Sequence, residues 1–103
     1  MRNGMLEGDC IVIHDEHFNG MITGTVTINS GVKFVNRGMI NKNVIVEKNG
    51  VFHNYGIVNG DVIGEGHAEI WGMVNGSVSS VSSYIHKEAV VNGKQYKQDV
   101  KKG

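Results

Sequence analysis

The sequence of 103 residues has no proline, one cysteine and no net charge. The single Cys10 excludes an intrachain disulfide, so nothing indicates an oxidising compartment and we expect a cytoplasmic protein. No apolar run reaches the roughly 18 residues of a transmembrane segment, and no signal-peptide pattern opens the chain. Ten Lys and Arg balance ten Asp and Glu, which excludes a nucleic-acid binder that works through net charge.

Glycine is abundant instead, with 15 copies, about twice its usual share. Each glycine costs backbone entropy and adds no side chain to a core, so the excess requires an architecture that uses glycine. Ten of the eleven glycines between residues 20 and 78 have even numbers, and Gly31 is the exception. This parity predicts that they lie at corners or at inward positions where the chain passes close to its neighbour.

A short repeat organises the middle of the chain. Its units begin with Gly20-Met-Ile, Gly38-Met-Ile, Gly56-Ile-Val and Gly72-Met-Val, so the period is 18 in the first two intervals and 16 in the third. Between residues 20 and 78 the aliphatic and Phe side chains concentrate at even positions, and period 2 predicts strands with one buried face. Stacking such units predicts an all-β, single-domain parallel β-helix (β-solenoid) of about four 16–18-residue coils. The expected inward ladders are Ile22/Ile40/Val58, Val26/Val44/Val62, Phe34/Phe52/Ile70 and the amide pair Asn36/Asn54.

A β-meander is the rival fold. Asn-Gly occurs six times, and between alternating segments this dipeptide is a strong hairpin signal. A meander does not require an 18-residue period with aligned residue types, whereas a stacked coil does.

Charge divides the chain into three parts. Residues 1–19 carry one basic and four acidic residues, a net charge of −3, and we interpret them as an acidic N-terminal cap strand. Residues 20–86 hold the repeats and are neutral. Residues 87–103 carry five Lys against Glu88 and Asp99, a net charge of +3, and form a basic polar tail in this interpretation.

The repeats resemble those of the bactofilins, the bacterial polymer-forming cytoskeletal proteins. The runs that carry the resemblance are Gly20-x-Ile22-x-Gly24-x-Val26-x-Ile28 and Gly56-x-Val58-x-Gly60-x-Val62, and it covers about residues 8–86. The resemblance implies a right-handed β-helix that self-assembles into a homo-oligomer. Left-handed hexapeptide acyltransferases share an 18-residue coil, but their repeat has one aliphatic residue per hexapeptide rather than strict alternation.

Apolar side chains also recur at outward positions, which indicates an interface. One outward ladder follows the leading glycines, and a corner column places Val35, His53 and Trp71 together, with Arg37 and Tyr55 two residues on. The predicted interaction surface is Met21, Met39, Ile57, Met73, Tyr55, Trp71 and His53. The alternative is that the termini fold back over the ladder, through Ile11, Ile13, Ile85 or Val91.

Two polar clusters have residue types that support chemistry in other proteins. His14 and His17 do not converge on an extended strand, and a structural zinc site needs four ligands. His67 between Glu65 and Glu69 could be a general base, but no nucleophile accompanies it in the sequence. We therefore expect no catalytic, cofactor or metal site. The predicted function is a non-enzymatic scaffold or interaction protein whose partner is itself or another protein; the alternative is a small binding protein such as a toxin-neutralising immunity protein.

Overall fold

Thirteen short strands follow one another along residues 2–95, the part of the chain that the computed structural model describes. The end of the predicted basic tail, residues 96–103, lies outside the described residues. The described residues contain no helix, and hence none that is long and apolar enough to cross a membrane. The strands are β1 (Arg2–Leu6), β2 (Cys10–Val12), β3 (Glu16–Ile22), β4 (Val26–Ile28), β5 (Lys33–Asn36), β6 (Met39–Ile40), β7 (Val44–Val46), β8 (Val51–Asn54), β9 (Ile57–Val58), β10 (Val62–Ile70), β11 (Met73–Val74), β12 (Val78–Ile85) and β13 (Val90–Val91).

Every strand pairs in parallel with the strand one coil before or after it, which makes three stacked faces. The first face holds β1, the end of β3, β6, β9, β11 and β13. The second holds β2, β4, β7 and the starts of β10 and β12. The third holds the start of β3, β5, β8 and the ends of β10 and β12. A meander would pair consecutive strands antiparallel, so the parallel β-solenoid is confirmed.

The solenoid has about five coils rather than the four predicted. Gly4-Met5-Leu6 pairs with Gly20-Met21-Ile22, and Val90-Val91 pairs with Met73-Val74. The first of these extra units repeats the Gly-Met-aliphatic signature, with the same interval as that between Gly56 and Gly72. The last begins with Ala89 instead of glycine, and that substitution hides the repeat. The right-handed sense of the coil stays a prediction.

The inward side chains form one continuous hydrophobic core. The Val26/Val44/Val62 and Ile22/Ile40/Val58 ladders have the predicted register. On the third face Phe18, Phe34 and Phe52 stack with ring centroids 6.4 and 6.2 Å apart. All of these side chains are fully buried.

The predicted pairing of Phe52 with Ile70 is wrong. Phe52 faces Ala68, and Ile70 faces Asn54. The coil that contains β7 and β8 turns from the second to the third face through residues 47–50, whereas β10 crosses the same corner without that turn, at Gly64–His67. The two residues missing from the third interval are lost at this corner, so the spacing between strand partners falls from 18 on the second face to 16 on the third and first faces. The sequence alignment placed this loss after the third face, so its predicted ladder is wrong on that face alone.

Three of the six Asn-Gly pairs, at residues 59, 75 and 92, lie at one corner of the coil rather than in hairpin turns, whereas the pairs at residues 3 and 19 lie within β1 and β3. Asn41, Asn59, Asn75 and Asn92 stack one coil apart, and each side-chain amide donates to the preceding one at 3.2, 2.7 and 2.6 Å. The neighbouring column, two positions further along each coil, contains Asp9, Asn43 and Asp61. Each of these side chains accepts a hydrogen bond from a backbone N–H of the next coil at 2.8–2.9 Å.

The leading glycines make the stacking of coils possible. A Cβ at Gly20, Gly38, Gly56 or Gly72 would overlap the carbonyl oxygen of the leading glycine one coil earlier. The predicted close approach to the neighbouring coil is therefore confirmed, and it is along the stacking axis.

The inward asparagines form the predicted amide ladder. Asn36 Nδ2 donates to Asn54 Oδ1 at 2.9 Å, and both residues are fully buried. Their remaining amide groups bind the backbone of Gly38, Gly56 and Met73. In the described part of the chain, no buried side-chain nitrogen or oxygen lacks a partner.

Candidate interaction surface

The outward apolar ladder has six rungs in parallel register on the first face. Its members are Met5, Met21, Met39, Ile57, Met73 and Val90. The four middle rungs are those predicted from the sequence, and each is partly buried by its neighbours. Met5 and Val90 belong to the two coils that the sequence pattern did not reveal, and they are exposed.

An aromatic column runs beside this ladder at the corner between the third and first faces. The Tyr55 and Trp71 rings stack 4.8 Å apart at an interplanar angle of 7°. The Arg37 guanidinium lies over the other face of Tyr55, 4.6 Å from the ring centroid, which is a cation–π contact. Trp71 therefore stands above Tyr55 rather than above His53, because the two-residue register shift moves it.

His53 belongs to the neighbouring column, where its strand partner is Glu69. Its ring meets Trp71 edge to face at 5.3 Å between centroids, and its Nε2 lies 3.6 Å from a Glu69 carboxylate oxygen. Burial lowers the pKa of His53 below its ordinary value of 6.5, and the nearby Glu69 carboxylate opposes this only in part. The Tyr84 ring follows Trp71 at 6.1 Å.

The ladder and the aromatic column line one open groove of about 600 Å³. Five of the seven predicted residues line it; Met21 and His53 do not. Glycine corners form part of its floor. The lining side chains are Arg37, Met39, Tyr55, Ile57, Trp71, Met73, Glu88 and Val90. Glu88 was missed because it follows the last repeat that the sequence pattern reveals.

The described parts of the termini do not cover this surface. Ile11 and Ile13 are 64% and 60% exposed, and so pack against nothing extensive. Ile85 and Val91 pack against the core instead. Residues 2–19 and 84–95 continue the coils, so they lengthen the ladder rather than lie across it.

The two ends of the solenoid form a second candidate surface. The apolar side chains that pack on the core but stay partly exposed all lie in the terminal coils: Leu6, Cys10, Ile85, Ala89 and Val91. Among the described residues, β1 and β2 each have a strand partner on one side only, and so do β13 and the third-face part of β12.

The histidine clusters are placed apart from the groove. His14 and His17 are both exposed at the first end. His67 hydrogen-bonds to Glu69, its neighbour in the sequence pattern, and to Ser82. The sequence pattern did not indicate the contact with Ser82. Residues 2–95 bring together no group of three or more His, Cys, Asp or Glu side chains that could hold a metal ion.

Comparison with protein families, curated proteins and solved structures finds no match to this chain. The likeness to bactofilins therefore depends on the repeat residues and on the parallel solenoid itself.

Proposed function

We propose that this protein is a scaffold whose copies stack head to tail, the C-terminal coil of one on the N-terminal coil of the next. The observation that carries the proposal is the confinement of partly exposed core side chains to the two terminal coils. Unpaired parallel strands with apolar inward side chains are a template for a further coil.

The occupant that fits each end is a second copy of this chain. A new coil must place its strands on three faces with a 16–18-residue period, and the chain itself has that shape. Leu6 and Cys10 at one end would meet the layer of Ile85, Ala89 and Val91 at the other. The outward ladder would continue from Val90 of one copy to Met5 of the next.

Charge supports the same orientation. Residues 1–19 have a net charge of −3 and residues 87–103 a net charge of +3. Opposite ends attract, whereas two like ends repel, so head-to-tail contacts are favoured over head-to-head ones. A head-to-tail contact is heterologous and generates an open filament unless the rotation closes a ring. The bactofilin resemblance supports such self-assembly independently.

The test substitutes proline at Ile11 in β2, the open edge of the second face. Cys10 N donates to Thr25 O and Val12 O accepts from Asn29 N, so these two residues use their polar groups toward β4. Because alternate residues of a parallel strand direct their backbone groups to opposite sides, those of Ile11 face the open end. Ile11→Pro removes one outward donor and blocks a new strand. Ile11→Thr is the control, since it loses the same exposed side chain but keeps the N–H.

Light scattering and negative-stain electron microscopy provide the measurement. Wild type and Ile11→Thr should form elongated oligomers, and Ile11→Pro should stay monomeric with a similar melting temperature. A wild-type protein that is strictly monomeric at high concentration, or an Ile11→Pro variant that assembles like wild type, would contradict the proposal.

The groove favours a second candidate, a small binding protein such as a toxin-neutralising immunity protein. The groove is apolar along its length, with Arg37 near one end and Glu88 near the other. The partner that fits is a protein segment with apolar side chains, an acidic group opposite Arg37 and a basic group opposite Glu88.

Peptides selected from a displayed library on wild-type protein test this candidate. The selected peptides should be enriched in that pattern and should not bind the Met39→Glu variant. The melting temperature of this variant should be close to that of the wild-type protein. Thr27→Glu, on the second face, is the matched control and should bind as wild type does. Equal binding to both variants would exclude the groove.

A further inference from the structure

The side chains of Ser82, His67 and Glu69 form a hydrogen-bonded chain on the outside of the third face. None of the three lines the groove, and none belongs to the apolar side chains at the two ends of the solenoid. His67 Nε2 is 2.8 Å from Glu69 Oε2, and His67 Nδ1 is 2.7 Å from Ser82 Oγ. A hydroxyl, an imidazole and a carboxylate in series is the arrangement that activates a serine nucleophile.

A register shift brings these residues together. His67 and Ser82 are directly paired across β10 and β12. Before the shift the same two strands pair Gly64 with Ser80, a register that would have placed Ser83 opposite His67. The buried Ser80 donates its hydroxyl to the carbonyl oxygen of Ser82 at 2.9 Å and holds the backbone at this irregularity.

The carboxylate decides which ring nitrogen of His67 carries the proton. An ionised carboxylate only accepts hydrogen bonds, so in neutral His67 the proton resides on Nε2 and points to Glu69. The lone pair of Nδ1 is then free to accept the Ser82 hydroxyl proton. The assignment gives each group the role it needs: Ser82 the nucleophile, His67 the base, and Glu69 the positioning residue.

Reagents can reach the nucleophile from solvent. Ser82 is exposed, and the His67 side chain is 34% exposed. Tyr84 lies two residues further along β12 on the same side, and it is 50% exposed, so it offers an apolar surface beside the hydroxyl. An open face of this kind suits small acyl esters with an apolar group, and it provides no enclosed pocket for a long substrate.

We propose that Ser82, His67 and Glu69 form an acyl-transfer site for small esters. Ser82 Oγ attacks the ester carbonyl while its proton passes to His67 Nδ1; the C–O bond to the alcohol then breaks, and the leaving alkoxide takes that proton. Water, deprotonated by His67 in the same way, hydrolyses the acyl-serine and regenerates the hydroxyl. The site does not depend on head-to-tail assembly, because its side chains project outward from the third face.

Covalent labelling with a fluorophosphonate tests the proposal on the full chain. Ser82 Oγ bonds to phosphorus, fluoride leaves, and the hydroxyl proton is taken up through His67, so the adduct is stable and peptide mass spectrometry locates it. Wild type and the neighbouring control Ser83→Ala should be labelled at Ser82, and Ser82→Ala should not. His67→Gln should slow labelling about 100-fold.

Glu69 is tested separately because its role is indirect. Glu69→Gln should slow labelling of Ser82 about 10-fold with an unchanged melting temperature, and Glu69→Asp should restore part of the rate. The same series should order the release of p-nitrophenol from p-nitrophenyl acetate. Labelling that is equal at Ser82 and Ser83, or unaffected by His67→Gln, would overturn the proposal, as would the absence of any adduct on Ser82.

Discussion

Asn36 and Asn54 show how much a single position can specify. Both have the even numbers of the core, so their burial was predictable from parity, and their pairing was predictable from the 18-residue period. Their partners were not, since Asn54 also donates to the Gly56 and Met73 carbonyls and accepts from the Gly56 N–H. A buried amide with all its groups satisfied stabilises one register, because a slip would leave these groups unpaired.

Asn54→Ala should therefore destabilise the fold strongly. The substitution leaves an N–H of the buried Asn36 amide without its acceptor and removes the bonds of Asn54 to Gly56 and Met73, and we expect a loss of about 3 kcal/mol in the free energy of unfolding. Asn59→Ala is the matched control, because Asn59 stacks in the exposed corner column and water can replace its partners. Urea unfolding should show a loss of about 0.5 kcal/mol for the control; similar losses in both variants would contradict the argument.

We expect His53 to make the stability of the protein depend on pH. Its pKa in the folded state is lowered, chiefly by burial, so the unfolded chain binds the proton more tightly than the folded one. Lowering the pH through 6.5, the ordinary pKa of histidine, therefore favours unfolding. The resulting loss of unfolding free energy reaches its full size below the pKa of His53 in the folded state. Melting temperatures should fall less between about pH 8 and about pH 5 in His53→Gln than in wild type. Parallel pH profiles for the two proteins would show that His53 does not carry this effect.

At the scale of strands and corners, the repeat predicts some columns and misplaces others. On the first and second faces the predicted columns are correct, because every repeat has the same six-residue distance from its leading glycine to the valine that follows, whether the repeat has 18 or 16 residues. The two residues are lost at the corner between the second and third faces, before the third-face strand begins. On the third face, therefore, Trp71 stacks on Tyr55 and Ala68 faces Phe52. Periodicity alone gives the length of a coil but not the corner at which residues are lost.

The leading-glycine column gives a test of the stacking argument. A Cβ in Gly38→Ala would overlap the Gly20 carbonyl oxygen, and because this atom is backbone the coils must separate. We expect a loss of about 3 kcal/mol in unfolding free energy. Gly4→Ala, at the open end of the same column, meets no atom within 4 Å and carries only the strain of a φ of +88°, about 1 kcal/mol. Equal losses in urea unfolding would refute the close-approach explanation.

At the scale of the whole molecule, the separation of charge between the two ends should govern assembly. Attraction between exposed charges is screened over about 30 Å at 0.01 M salt but over about 3 Å at 1 M. The average mass from light scattering should therefore fall as salt is raised between about 0.01 M and about 1 M. A mass that is constant or rises with salt would indicate that apolar contacts between the coil ends dominate and that charge contributes little.

The sequence by itself determined the fold class and the middle of the apolar ladder. Period-2 alternation and the regular recurrence of the Gly-x-aliphatic unit are properties of the chain that need no knowledge of contacts, and they require stacked parallel strands. The tertiary structure decided the rest: the terminal coils, the stacking of Trp71 on Tyr55, and the Ser82–His67–Glu69 chain. These depend on which residues lie opposite each other after a corner loses one or two residues, and only backbone pairing across coils fixes that register.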